Sequence, residues 1–372
     1  MKKTSIVGAF LAASCIGSSM AQSGVTVYGG VDSYVESARI TGRGSFKKVS
    51  FNGVAPNRLG FRGVEDLGGG LQAGFVLESG FAIDTGNLVL GGRIFGRQAL
   101  VSLSSSRLGE IRLGRQLTPL HFSMLTTDAD TFSATSPMFS VYQSNLDQSR
   151  QDNQVSYWMP RIGGFTGAMS VSAGEGAAVA PGPATSWIPL AGTVQRNLGA
   201  MLRYQSGGFD GSVGFHQGGQ RTTTGKAIQQ VMHAGVNYKF SAFQVGANLW
   251  QHSNELPDGI EPKNRGGAVG MRYFASPTLY FVGQIGRFQD NGLAYSTGAA
   301  KAEGSTTYFN AGADYLLSKR TAVYLRAARV KDESGGFNGR TNAALIGLFG
   351  PGNNLPAGGS ASTLALGVRH GF

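Results

Sequence analysis

The chain has 372 residues, of which 58 are glycine and only 14% are charged. That charge content excludes a charge-rich disordered chain, and the glycines follow no triplet period of the collagen kind. Thirty-two basic against 21 acidic residues give a net charge of +11, a balance that suits nucleic acid, anionic lipid or anionic solutes.

In chain order, the first predicted element is an export signal. Lys2 and Lys3 precede an apolar run at 6–13, and Ser19-Met20-Ala21 is a small-x-small cleavage site, so cutting falls after Ala21. This divides the chain into a signal peptide, 1–21, and a mature domain, 22–372. The only cysteine, Cys15, lies in the leader, leaving the mature chain without disulfides. Lipidation of Cys15 is the rival reading, with Ala12 standing where such signals favour leucine. Losing Lys2 and Lys3 lowers the net charge from +11 to +9. Beyond the leader no apolar run approaches the roughly 18 residues of a membrane-spanning helix.

From residue 25 onward the hydrophobic period is two. Val25, Val27, Val31 and Val35 alternate with Thr26, Tyr28, Asp32, Tyr34 and Glu36. Leu71, Ala73, Phe75 and Leu77 alternate with Gln72, Gly74 and Glu78. Further on, Phe243, Val245, Ala247 and Leu249 face Gln244, Gly246 and Asn248, and Phe309, Ala311, Ala313 and Tyr315 face Asn310, Gly312 and Asp314. Tight turns are predicted at 66–69, 104–109, 160–164, 206–208, 241–242, 276–277 and 318–319. Longer polar connections fall at 38–56, 82–92, 117–150, 174–195, 217–226, 255–264, 290–304 and 331–359. Seven turns and eight loops delimit sixteen strands with both termini at the short-turn end. Short turns at one end and long loops at the other predict an all-β fold, a sixteen-stranded antiparallel transmembrane β-barrel. A β-sandwich is the alternative, but sixteen apolar faces need two such domains and a linker, and the sequence shows no linker. In a barrel the apolar faces meet lipid and the polar faces line a lumen. Tyr204, Tyr238, Phe240, Phe274, Tyr315 and Phe372 then fit interfacial girdles.

Several stretches, "VTVYGGVDSYVE" (25–36), "NRLGFRGVEDLGGGLQAGFVLESGF" (57–81), "GRQALVSLSSSRLGEIRLGRQLTP" (96–119), "RQDNQVSYWMP" (150–160) and the closing "LGVRHGF", carry a resemblance. In combination and order, the chain resembles the Gram-negative general diffusion porins across its mature length. The resemblance implies a homotrimer of water-filled barrels in the outer membrane. It implies contacts with lipid, lipopolysaccharide and the assembly machinery, and passage of small hydrophilic and anionic solutes. It also implies that Phe372, ending the strand Leu364–Phe372, is the assembly signal, and that the connection at 117–150 folds inward as a constriction loop.

By the same resemblance, the basic wall of the constriction is Arg58, Arg97 and Arg150. Alternation places Arg58 opposite Leu59 and Phe61; Arg97 and Arg150 rest on the resemblance alone. Arg62, Arg112, Arg203, Arg272, Arg326 and Arg369 also fall on the polar phase, each either merely solvated or selective. The loop departs from the family's acidic turn, reading "PLHFSMLTTDADTFSATSPMF" (119–139), with Asp128 and Asp130 as possible loop acids across the constriction. The expected selectivity is a moderate anion preference.

Other classes find less support. A hydrolase needs a nucleophile beside a histidine, and His121, His216, His233, His252 and His370 lie far apart in sequence. No metal-ligand spacing recurs, and no cofactor is expected. "GQRTTTGKA" (219–227) is one residue too long for a phosphate loop and ends in Ala227. The arginines are spread along strands rather than gathered into the basic patch that nucleic acid requires. A substrate-specific porin for sugars or organic acids remains the alternative, with an adhesin behind it.

Overall fold

In the computed structural model, residues 24–136, 149–174, 178–179, 192–259, 261, 263–291, 304–333 and 358–372 are described. The expected leader, with Cys15 and the cleavage site at Ala21, lies outside them, as do 137–148 of the expected inward loop. Six strands come first: β1 (Gly24–Ile40), β2 (Gly44–Phe51), β3 (Arg58–Gly68), β4 (Leu71–Gly80), β5 (Gln98–Ser105) and β6 (Gly109–Leu117). A helix, α1 (Pro119–Thr127), follows. Then come β7 (Arg150–Trp158), β8 (Phe165–Ser172), β9 (Ala178–Val179), β10 (Gly192–Ser206), β11 (Phe209–Thr222) and β12 (Lys226–Phe240). The last six are β13 (Phe243–Glu255), β14 (Lys263–Phe274), β15 (Leu279–Asn291), β16 (Gly304–Leu316), β17 (Thr321–Asp332) and β18 (Ser360–Gly371).

All ladders are antiparallel, and β1 closes the sheet by pairing with β18 from Gly30–Gly371 to Ile40–Ala361. On its other edge β1 pairs with both β2 and β3, which are two halves of one stave separated by an excursion at 52–57. Similarly β8 and β9 share the edge of β10. The eighteen segments therefore form sixteen staves. The last residue takes part: Phe372 and Gly29 exchange backbone hydrogen bonds of 3.1 and 3.0 Å. Closure leaves no edge to pair with another chain.

The excursion is built by Asp32. Its carboxylate accepts the N–H groups of Gly53, Val54 and Ala55 at 3.0, 2.9 and 2.8 Å, and the Tyr324 hydroxyl at 2.6 Å. Its own N–H donates to Asn57 Oδ1 at 2.5 Å. A fully buried carboxylate without such donors carries a large desolvation penalty; here four donors offset it.

The two faces are inverted relative to a soluble protein. Leu366 is 63% exposed, as are Val25, Val35, Phe309 and Leu364 to similar degrees, whereas Asn310 and Asp314 are 0% exposed. The predicted alternation thus directs apolar side chains outward to lipid and polar ones inward. At the short-turn end the outer face carries an aromatic stripe. Tyr204 lies 4.6 Å from Phe165; Tyr238, Phe240, Phe243, Tyr273 and Phe281 stack in sequence with centroids 4.9–6.3 Å apart. Phe274 does not belong to it. It pairs with Tyr280 on the inner phase, 5.9 Å away, with Lys239 over its ring.

The seven short turns fall where predicted. Two predicted long loops are instead hairpins: β1 and β2 continue to a turn at 41–43, and β11 and β12 to one at 223–225. Their staves extend past the 9–11 residues a bilayer requires. Polar residues read as loop there continue the ladder above the membrane, because hydrogen bonding in water does not need apolar side chains.

The inverted faces yield a prediction. Leu366→Arg, at mid-stave on the lipid side, should destabilise the barrel by about 2–4 kcal/mol. Urea unfolding in lipid vesicles measures this; a shift below 1 kcal/mol would place that face away from lipid.

Candidate functional site

The connection after β6 turns into the barrel. Thr118 caps α1, its Oγ1 accepting the His121 N–H at 3.3 Å, and Pro119 takes the first turn, where no N–H is needed. The helix lies against the inner wall of β10–β13. Two glycines permit the approach: a Cβ on Gly214 would meet Ser123 Cβ at 2.7 Å, and one on Gly235 would meet Thr127 Oγ1 at 2.3 Å. Ser212 donates to the Ser123 carbonyl at 2.8 Å, Asn237 to that of Thr126 at 3.0 Å, and Asn248 to that of Thr127 at 3.0 Å. Unpaired carbonyls at the end of a buried helix are costly, so the wall's amides and hydroxyl replace the water that would otherwise bind them.

His233 sits between Ser123 Oγ and Asn248 Oδ1, 2.9 Å from each. Sequence reading found no serine partner for any histidine, and the fold supplies one. Ser123 is fully buried, however, so this row fastens the helix and offers no exposed nucleophile.

Beyond α1 the loop follows the wall onward. Gln284 donates to Asp128 Oδ1 at 2.5 Å, Asn310 to Asp130 Oδ2 at 3.0 Å, and Arg326 pairs with Asp130 at 2.9 Å and Asp314 at 2.6 Å. The Ala134 N–H then donates to Gly53 O at 2.8 Å, on the excursion held by Asp32. Asp128 and Asp130 therefore do not face the basic wall as loop acids across an opening. They fasten the loop to β15–β17, because a carboxylate buried at 1–2% exposure must take its donors from the wall it touches. Burial also raises the Asp128 carboxyl above its ordinary range.

The three arginines of the expected basic wall do come together, around a carboxylate that sequence reading did not assign to the site. Glu78 on β4 binds Arg97 Nε at 2.7 Å and lies 3.9 Å from Arg58 Nε, and the Tyr28 hydroxyl donates to it at 3.0 Å. Arg150 Nε donates to the backbone carbonyl of Arg97 at 3.1 Å. Two guanidinium groups share the Glu78 carboxylate, a local excess of one positive charge, and the Arg150 guanidinium lies beside them. Glu78 was legible as a polar-phase residue; its pairing was not, since its partners come from three other segments.

The remaining lumenal arginines are largely compensated. Arg112 binds Glu110 at 2.7 Å and lies over Trp158, Arg203 forms a bidentate pair with Asp210, and Arg369 reaches Asp314 at 3.8 Å. Arg272 donates to Thr131 at 3.3 Å, and Arg62 covers the Tyr28 ring at 5.3 Å. His121, at the foot of the loop, adds no charge: burial, together with Arg150 and Arg97, holds it well below the usual histidine range. A group depressed in this way loses stability as pH falls below its unfolded value of about 6.5.

A closed barrel with a lipid-facing apolar exterior, a polar interior and a loop folded within defines a channel protein of the outer membrane. A family profile described as Gram-negative porin matches residues 8–335, and the chain belongs to that family. It is a non-enzymatic β-barrel channel for passive diffusion across the Gram-negative outer membrane. Outer membrane porin protein 32 of Delftia acidovorans is 33% identical over the full length of both chains. An outer membrane porin protein of Bordetella pertussis is 27% identical, covering 94% of this chain and 99% of its own. Among solved structures, the anion-selective porin from Comamonas acidovorans superposes with a TM-score of 0.80 at 26% identity, over 94% of this chain and 100% of its own.

Two outcomes are expected. Arg326→Met leaves Asp130 and Asp314 facing each other without their shared cation and should destabilise the loop's docking by about 3–5 kcal/mol. Limited proteolysis within 128–136 and increased open-channel noise would report it. Acidification from pH 7.5 to 6.5 should leave ion selectivity unchanged within about twofold, since burial holds His121 neutral over that range. A rise that disappears in His121→Gln would contradict the assignment.

Proposed function

We propose that the pore is a general diffusion channel with moderate anion preference, set by Arg58, Arg97 and Arg150 clustered around Glu78. The observation that carries this is that Arg58 and Arg97 share the single carboxylate of Glu78 with Arg150 packed against Arg97, in a lumen whose other arginines are mostly matched by acids. Two unit charges 4 Å apart interact by about 1 kcal/mol in water and about 4 at an effective dielectric near 20. A decade of preference needs about 1.4 kcal/mol, and salt screens beyond about 8 Å. The neck thus favours anions by roughly tenfold without excluding cations. The similarity to an anion-selective porin supports the same sign. The loop, 117–150, is the constriction, held open against the far wall by Asp128 and Asp130.

The channel works as a homotrimer, as the family resemblance implies. Phe372 serves both closure and recognition by the assembly machinery. Its pairing with Gly29 supports the first role, and the second follows the family resemblance.

The deciding measurement is the zero-current potential of the purified protein in a planar bilayer under a KCl gradient. Wild type should give the anion-permeable sign. Neutralising Arg58, Arg97 and Arg150 to Gln together should abolish it, and Glu78→Gln should raise the anion-to-cation ratio by roughly two- to threefold. A cation-permeable sign in wild type would overturn the reading.

A further inference from the structure

With Asp128 and Asp130 turned to the wall of β15–β17, the side of the loop left toward the opening carries no charge among the described residues 118–136. On α1 the residues held against the barrel are Leu120, Ser123, Met124 and Thr127, all buried. Phe122, Leu125 and Thr126, three and four apart along the helix, form the half-buried stripe opposite them. Phe132, also half-buried, continues that stripe beyond the helix.

The rings on this side form one contiguous strip. His121 meets Phe122 at 5.6 Å and Phe132 at 5.5 Å, and Phe122 meets Trp158 of β7 at 4.9 Å, each pair close to perpendicular at 80–86°. Trp158 is fixed by its Nε1, which donates to Ser156 Oγ at 2.9 Å, and the Arg112 guanidinium lies over its ring at 4.6 Å. His121 joins the strip to the basic wall, since Arg150 and Arg97 are the charges that act on it. The neck is therefore lopsided, with guanidinium groups on one side and aromatic rings on the other.

Such a cleft matches a solute that is itself two-sided. A small inorganic anion gains from the guanidinium groups but gives up hydration against the apolar strip without compensation. A neutral sugar needs acceptors for its hydroxyl groups, and the acids of the loop are bound to the wall. An anion with an aromatic body satisfies both sides. Its carboxylate takes charge-assisted hydrogen bonds from arginine, and its ring makes the edge-to-face contacts that these rings already make with one another. A saturated ring of the same size is equally apolar but lacks the quadrupole on which those contacts depend.

We infer that aromatic carboxylates are the solutes this neck retains best, with the carboxylate at the wall of Arg58, Arg97 and Arg150 and the ring against Phe122 and Phe132. This narrows the anion-preferring reading of the pore to a chemical class and rests on that reading. Charge alone would hold every small carboxylate equally; the aromatic strip is what ranks them.

The test uses the purified full-length protein in a planar bilayer at neutral pH, where benzoate and cyclohexanecarboxylate are both ionised. The concentration of each that halves the KCl conductance is measured, with benzamide as the uncharged aromatic probe and maltose as the sugar. Wild type should be half-blocked by benzoate at about three- to tenfold lower concentration than by cyclohexanecarboxylate, and at least about tenfold lower than by benzamide. F122L/F132L, which keeps apolar bulk and removes both rings, should keep the heat-modifiable mobility of a folded barrel and bring the two acids within about 1.5-fold of each other. Should that variant not fold, the rank order in wild type still decides. Block by benzoate no stronger than by cyclohexanecarboxylate overturns the site, as does equal block by benzamide, stronger block by maltose, or no block by any probe. Full benzoate preference in folded F122L/F132L overturns its placement on the loop. A cation-permeable zero-current potential in KCl overturns the charge reading of the pore and this site with it, whereas an anion-permeable potential with equal block by the two acids overturns the site alone.

Discussion

The constraint on which everything else rests is that the hydrocarbon core of a bilayer offers no hydrogen-bonding partner. Each unsatisfied backbone group there costs several kcal/mol, so a spanning sheet must close. Closure makes the pairing of β1 with β18 obligatory and gives the last residue a place in the ladder. It also inverts the usual burial logic. With lipid outside and water inside, the apolar phase of each strand needs no internal core, and the interior is free to hold charge.

That freedom has limits. Where the loop after β6 lies against the wall, water is excluded and charges must be matched. Arg326 between Asp130 and Asp314, and Asp32 among its four donors, are such matched sites. Ala134 joins the two by its bond to Gly53, so the loop is held on one side by an ion-pair network and on the other by a carboxylate-built turn. At Glu78 two guanidinium groups share one carboxylate, and the half-exposed Arg58 is the member that water reaches.

Much of this was legible in the sequence, and for one reason. Period-2 alternation reports the two faces of a strand regardless of which solvent each meets. Val25 through Glu36 and Phe309 through Asp314 were therefore assigned to the correct faces, and the short turns to the correct places. The failures have a shared cause as well. The hairpins at 41–43 and 223–225 were read as loops because polar ladders in water lack the apolar signal. Phe274 was assigned to a girdle because aromatic identity does not encode phase. Trp250, Phe288 and Tyr308, which pack edge-on and tilted within the barrel at centroid separations of 4.9 and 4.6 Å, went unnoticed because a lumen was expected to be polar throughout. The helix α1 went unseen because nine residues buried on nearly every side show no amphipathic period.

By itself, then, the sequence determined the architecture and the inward and outward faces, since both depend on local order along the chain. Only the tertiary structure decided which charges remain unmatched. Glu78 meets Arg58 and Arg97, and Asp130 meets Arg326, across separations of 20, 19 and 196 residues. Whether an arginine is a selective charge or a fastening depends on whether a carboxylate lies within a few ångströms, and sequence order does not record that distance.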